Sequence, residues 1–322
     1  MSDDGAALGA RLRERDLSAA PAALNLLEST TAADRAQTAA LLREVSPAAL
    51  AREAPGHVIG VTGPPGAGKS TLLSALLHAW RAQQRSVAML AVDPSSRRSG
   101  GSLLGDRARI DFDPADRGVL IRSTAAGERL GGLAWATRSA AQALAAAFDV
   151  VVIETVGVGQ AETDIAELAD TVAVIVQPGS GDALQFLKSG IMEIPDVLVV
   201  TKADLGTLAT RAVRDLRAAL RSLGAAHGPG AARVVAVSSL PPASGIDELQ
   251  QALEEHRAAL DLPARRLSVR RAGALRDFTV EHGEHGLRAL GGRRAAERWL
   301  SEQDPGLETP ALVAALEQRI GA

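Results

Sequence analysis

Gly63-Pro64-Pro65-Gly66-Ala67-Gly68-Lys69-Ser70 carries the pattern GxxxxGK[ST]. It follows an apolar run ending at Thr62 and precedes Thr71 and a helical pattern reaching Trp80. In that context the glycines let backbone N–H groups converge on phosphates, and the following helix N-terminus adds its positive dipole end. Lys69 is then expected to bridge the β- and γ-phosphates, and the Ser70 hydroxyl to ligate Mg²⁺. Two further apolar runs end in acids. Val150–Ile153 leads into Glu154-Thr155-Val156-Gly157, which reads as a metal-holding carboxylate and a DxxG-like switch with Glu in place of Asp. Ser86–Val92 leads into Asp93. Acids at the carboxyl ends of strands lie where open α/β sheets bind ligands. The other reading of each is a simple turn cap. Gly157 N–H could sense the γ-phosphate. Asp106, on the Gly-rich stretch 100–107, could close onto the metal, orient the attacking water, or cap a helix.

A fourth run, Val197–Val200, enters Thr201-Lys202-Ala203-Asp204, close to the guanine signature NKxD. A carboxylate there accepts from guanine N1–H and N2–H₂ together, whereas adenine offers an acceptor at N1 and is repelled. Asp204 is therefore the residue expected to select GTP, with the Lys202 stem stacked on the base. Thr201 replaces the usual Asn and loses an amide that ties this loop to the phosphate loop and the base. Ser238-Ser239-Leu240 follows the next strand candidate and suits a backbone contact to guanine O6.

These residues need a scaffold. Strand candidates are His57–Thr62, Ser86–Val92, Val119–Arg122, Val150–Glu154, Val172–Val176, Val197–Thr201 and Arg233–Ser238. Several are nearly continuous Val/Ile/Leu, as strands buried on both faces of a parallel sheet are. Helical patterns fall at Ser70–Arg81, Thr137–Ala147, Ala209–Leu223 and Ile246–Leu260, the last opening with Ser244 and Asp247 at capping-box spacing. The fold class is α/β: a mostly parallel P-loop sheet flanked by helices over residues 56–262. Residues 1–55 form an N-terminal helical extension and residues 263–322 a C-terminal helical region.

With 322 residues, 46% of them apolar and no run long enough for a membrane span, the chain is expected to be soluble. A net charge of −3 leaves no bulk footprint for nucleic acid, and 2% aromatics leave few stacking platforms. The absence of cysteine excludes disulfides and thiolate metal sites, and fits a reducing cytosol. Val158 stands where Ras-like proteins place a water-orienting Gln, so intrinsic hydrolysis is expected to be slow, ~10⁻⁴–10⁻³ s⁻¹.

The stretches VTGPPGAGKST, AVDPSSRRSGGSLLGDRARI, GGLAWATR, FDVVVIETVGVGQAETDIAELAD, QPGSGDALQFLKSGIMEIPD and TKADLG resemble the MeaB/ArgK family of bacterial G proteins, which includes the methylmalonic aciduria type A protein. The similarity covers about residues 5–260. It implies a SIMIBI-class Mg·GTP hydrolase, cytoplasmic and usually dimeric through a C-terminal helical arm. The family serves as a chaperone that gates cofactor loading and protects an adenosylcobalamin-dependent acyl-CoA mutase. It also implies that Asp93, Asp106 and Glu154 form the Mg²⁺ and catalytic acid set beside Lys69 and Ser70, and that Gln185 and Lys188, in a third switch over Gly179–Ile191, pass nucleotide state to the partner. The Trp299/Leu300/Leu312/Leu316 helices could equally fold back on their own subunit. Three rivals remain. A nickel-insertion GTPase would use Cys/His ligands, and only His282 and His285 are paired here. An ATP-using kinase or transport ATPase conflicts with TKAD. A binding module would hold GTP without turnover.

Overall fold

The computed structural model describes residues 4–29, 31–93, 110–125, 135–155, 165–179, 195–222 and 232–321. Its contacts divide the chain into two compact units. The first comprises Met1–Gly56, Arg138–Ala147 and Asp261–Ala322, and the second His57–Thr137 and Phe148–Leu260.

The second unit holds β1 (His57–Thr62), α5 (Lys69–Ala82), β2 (Val87–Asp93), β3 (Val119–Ala125), β4 (Val150–Thr155), β5 (Thr171–Val176), β6 (Val197–Val200), α7 (Thr207–Ser222), β7 (Arg233–Ala236) and α8 (Ile246–Ala259). The strands form one sheet in the order β3-β2-β4-β1-β5-β6-β7, every neighbouring pair parallel. Ile59, Val61, Met89, Val152, Ile175 and Val199 share a buried core with Leu72, Leu73, Leu76 and Trp80 of α5 and with Leu249 and Leu253 of α8. The alternate residues, among them Val58, Val151, Ile153, Val174 and Val200, point the other way and are buried too. Burial of both faces is why these strands read as apolar runs instead of alternating patterns.

All seven strand candidates are strands, the first with the expected bounds and the other six with altered ends. β6 stops at Val200 and β7 at Ala236, because Thr201 and Ser238 leave the ladder for the carboxyl-edge loops. The capping box expected at Ser244 and Asp247 is not formed. Gly245, at φ +77°, begins α8 without a side-chain cap, and a Cβ there would meet the Ala236 carbonyl oxygen at 2.1 Å. Ser244 is instead tied to Ser238 by reciprocal backbone bonds of 2.9 and 3.0 Å.

At the amino edge one device recurs. An aspartate just before a strand accepts an N–H from the amino end of a neighbouring strand or the residue before it: Asp149 from Ser86 at 2.8 Å, Asp170 from Val58 at 2.9 Å, Asp196 from Val172 at 2.8 Å. These bonds supply partners to amides that the parallel ladder leaves at its end. Beside them the Thr171 hydroxyl lies 2.8 Å from His57 Nε2 and 2.9 Å from His256 Nδ1, and His256 Nε2 lies 3.1 Å from Asp196.

The first unit contains α1 (Gly5–Arg13), α2 (Ala20–Glu28), α3 (Ala32–Glu44), α4 (Pro47–Leu50), most of α6 (Trp135–Ala147), α9 (Leu262–Ala289), α10 (Arg293–Ser301) and α11 (Thr309–Gly321). Leu300, Leu312 and Leu316 are buried with Leu275, Phe278 and Leu287, so these side chains pack on their own chain. Arg270 makes a bidentate pair with Glu53 at 2.9 Å and reaches the Pro305 carbonyl. Arg266 donates to the Ala54 and Gly56 carbonyls, both at 2.6 Å. The Arg-rich start of α9 thus fastens the segment that ends the N-terminal helices. His282 lies 3.1 Å from Glu317 and 4.6 Å from the Phe278 ring centroid. Asp277 pairs with Arg138; burial pushes its carboxyl up to about 6, against the pull of Arg138 and Arg276.

Asp170→Ala is expected to cost about 1–3 kcal/mol by leaving the Val58 amide buried without its acceptor, checked by urea unfolding. Asp277 gives a pH signature. The folded protein keeps this proton to a pH near 6, while the unfolded chain releases it near the ordinary 3.8. Its contribution to stability is therefore fullest below pH 3.8 and is lost as pH rises through 6. Asp277→Asn should shrink the fall in unfolding free energy between pH 4 and pH 7; an unchanged pH slope would contradict this assignment.

Candidate functional site

Every strand points its carboxyl end to the same edge, so sheet order alone sets what lies beside what. β1 is central and carries the phosphate loop. β4 and β2 lie to one side, with Glu154 level with Val61 of β1 and Ala91 of β2. β5 and β6 lie to the other, so the strands that carry the phosphate loop and the Thr201–Asp204 loop stand two strand spacings, about 10 Å, apart with β5 between them.

In the loop itself Gly63, Gly66 and Gly68 have φ of +146°, +75° and +89°. A Cβ on Gly63 would lie 2.6 Å from the Ile175 carbonyl oxygen, so the turn passes too close to β5 for a side chain. Gly68 starts α5 in the left-handed region, and Lys69 and Ser70 occupy its first turn, where free N–H groups and the dipole favour an anion. The Lys69 ammonium is buried and donates to the Gly63 carbonyl at 2.7 Å and the Pro64 carbonyl at 3.1 Å. Ala67 is fully buried, while Pro65, Gly66 and Thr71 stand at the exposed rim.

The base-reading loop is joined to this turn directly. The Thr201 hydroxyl donates to the Ala67 carbonyl at 2.7 Å, and the Lys202 ammonium to the Gly66 carbonyl at 3.3 Å. The tie to the phosphate loop that the missing Asn seemed to remove is supplied by a hydroxyl. Lys202 adopts the left-handed region at φ +54°, which lifts Asp204 onto the exposed edge. There Asp204 Oδ1 accepts from the Ser238 hydroxyl at 2.9 Å, and Ala203 N–H donates to the Val237 carbonyl at 3.1 Å. Asp204 is thus positioned from two strands. Ser239 is half-buried and Leu240 projects outward, beyond the Ser238 tie.

On the acid side Glu154 is buried at the end of β4. Thr62 and Thr155, buried at the ends of β1 and β4, have hydroxyls with no hydrogen-bond partner among the described residues. Glu154 follows Val150 and Val152 onto the α5 side of the sheet, where Ser70 offers a further oxygen of the kind Mg²⁺ takes, while Thr62 and Thr155 follow Val58 and Ile153 onto the other face. Asp93 ends β2 on the same edge. Its side chain lies outside the described residues, as do Asp106, Gly157, Gln185 and Lys188.

Thr201→Val keeps the shape and removes the donor to Ala67. GTP binding by this variant is expected to weaken about 3- to 10-fold, the worth of one hydrogen bond, while Thr201→Asn restores it. Equal affinities by calorimetry would remove the tie from the site.

A family model described as methylmalonyl Co-A mutase-associated GTPase MeaB matches residues 20–284. A protein of Pyrococcus abyssi named as a GTPase is 40% identical over 268 residues, which is 81% of this chain and 78% of that protein. The GTPase ArgK of Escherichia coli is 36% identical over 265 residues, again 81% of this chain and 78% of the relative. Among solved structures, one described as a LAO/AO transport system kinase has 28% identity and a TM-score of 0.66, covering 100% of this chain and 99% of its own. With a phosphate-loop turn on a parallel sheet and these relatives, the chain belongs to the MeaB/ArgK family of GTPases.

Proposed function

We propose that the chain binds Mg·GTP along the carboxyl edge, hydrolyses it slowly, and serves as a nucleotide-dependent chaperone of an adenosylcobalamin-dependent acyl-CoA mutase of the methylmalonyl-CoA type. The observation that carries the nucleotide reading is the Thr201–Ala67 bond, which ties the phosphate turn to the loop that carries Asp204. Support for the partner is the family description, which names the mutase, together with the family's GTPases.

In this reading the Lys69 ammonium exchanges its two loop carbonyls for the β- and γ-phosphate oxygens and neutralises charge that develops on transfer. The first-turn amides of α5 hold the same oxygens. Ser70 and Glu154, with Asp93 and Asp106, would hold Mg²⁺, which when bound supplies further neutralisation of the phosphates. Gly157 N–H senses the γ-phosphate. Asp204 accepts from the guanine edge, Lys202 covers the base, and the 238–240 backbone meets O6. Since Val158 can orient no water, the attacking water is poorly positioned and turnover waits on the partner, to which Gln185 and Lys188 report. The C-terminal helices are proposed to make the homodimer through surfaces other than the buried Leu300, Leu312 and Leu316. A transport-kinase activity would need ATP, and the Asp204 carboxylate disfavours adenine. No described helix is long and apolar enough to cross a membrane.

Nucleotide titration and single-turnover hydrolysis test this together. GTP should bind far more tightly than ATP, and unassisted turnover should fall at ~10⁻⁴–10⁻³ s⁻¹, rising when mutase is added. Asp204→Asn should exchange preference from GTP to xanthosine triphosphate, whose C2 carbonyl accepts where guanine donates. ATP bound as tightly as GTP would end this reading.

A further inference from the structure

Among the described residues four large apolar side chains are exposed, and three of them surround the base-reading loop: Leu205 at 43%, Leu208 at 51% and Leu240 at 59%. Leu205 follows Asp204, Leu240 lies two residues after Ser238, and Asp204 and Ser238 are hydrogen-bonded, so these leucines border one spot. Single exposed leucines are ordinary; three around a ligand edge are a patch.

α7 continues that patch as charge. Leu208, Arg211 and Arg214 follow at three-residue steps along its solvent face, with Arg221 two turns further on. The Arg211 and Arg214 side chains are 74% and 75% exposed, and their shared counter-ion Asp215 stands off at 3.8 and 3.7 Å. The helix holds four arginines and one aspartate, a net charge of +3 within a chain of −3. Its opposite face, Ala209, Leu216 and Leu220, is buried in its own unit, and Arg217 donates to the Val234 carbonyl. A helix so fixed cannot turn an apolar face into a bilayer. Three leucines at the head of an arginine stripe, with Asp204 and Asp215 between them, match instead a protein surface whose apolar contact is flanked by acids.

We propose that this edge is a docking surface for such an acidic protein face, and that the face belongs to the mutase; the inference therefore rests on the partner reading above. Docking here braces the Asp204–Ser238 pair and so slows nucleotide release.

The test uses full-length protein and purified adenosylcobalamin-dependent methylmalonyl-CoA mutase, with binding measured at 50 and 300 mM salt and nucleotide release followed with a fluorescent GDP. Leu208→Glu and Arg211→Glu/Arg214→Glu should each weaken mutase binding at least 10-fold and abolish its slowing of release. GTP affinity and thermal unfolding of the isolated variants should match the parent. Arg211→Ala/Arg214→Ala, which favours the helix, guards against a folding artefact and should lose most of the salt dependence. Variants that bind within 2-fold of the parent would overturn the docking surface and leave the partner reading standing. A parent protein that binds no mutase in any nucleotide state would overturn both. Charge reversal that abolishes binding to phosphatidylserine vesicles or self-association, with mutase binding intact, would also overturn the proposal.

Discussion

The bond from Thr201 to the Ala67 carbonyl is the contact on which the nucleotide cradle depends. Joined, the phosphate-loop turn and the loop that carries Asp204 become one unit at the carboxyl edge, the arrangement on which the proposed nucleotide site rests. The bond lies in a buried setting, between a 3% exposed threonine and a fully buried alanine, where its loss is not made good by water.

The sheet makes that bond possible. With all strands parallel, each loop that leaves a carboxyl end lies on one edge, and strand order becomes the order of chemical roles. Acids on β2 and β4, the anion turn on β1 and the base reader on β6 stand in sequence along it. The opposite edge carries the cost of parallel pairing, a row of leading amides. The aspartates at 149, 170 and 196 meet it one strand at a time. One edge of the sheet is thus closed by its own side chains, leaving the other for ligand.

Asp204 shows how specificity depends on more than one loop. Its carboxylate is held by Ser238 from beyond β7, and the preceding residue, Ala203, donates its N–H to Val237, so the placing of Asp204 rests on β6 and β7 remaining paired. The exposed leucines and the arginines of α7 begin where that brace ends, which is why contact by a partner there would be felt by the nucleotide.

Much of this was legible in the chain itself. GxxxxGK[ST] after an apolar run, two apolar runs closed by acids and TKAD after a third are local patterns, and such patterns follow from backbone geometry and hydrogen-bonding chemistry close along the chain. The seven strands were visible because burial on both faces demands continuous Val, Ile and Leu. What the chain could not disclose were contacts between residues far apart in it. Thr201 read as a loss because its acceptor, a backbone carbonyl at position 67, leaves no mark in the sequence. The helix start at Gly245 displaced the expected Ser244 cap because the Ala236 backbone approaches there. Whether Leu300, Leu312 and Leu316 face their own chain or another was undecided by periodicity, which gives a helix an apolar side but never says against what it packs; the tertiary structure buries them among Leu275, Phe278 and Leu287. Residue type fixes what a group can do, and only the fold fixes what it meets.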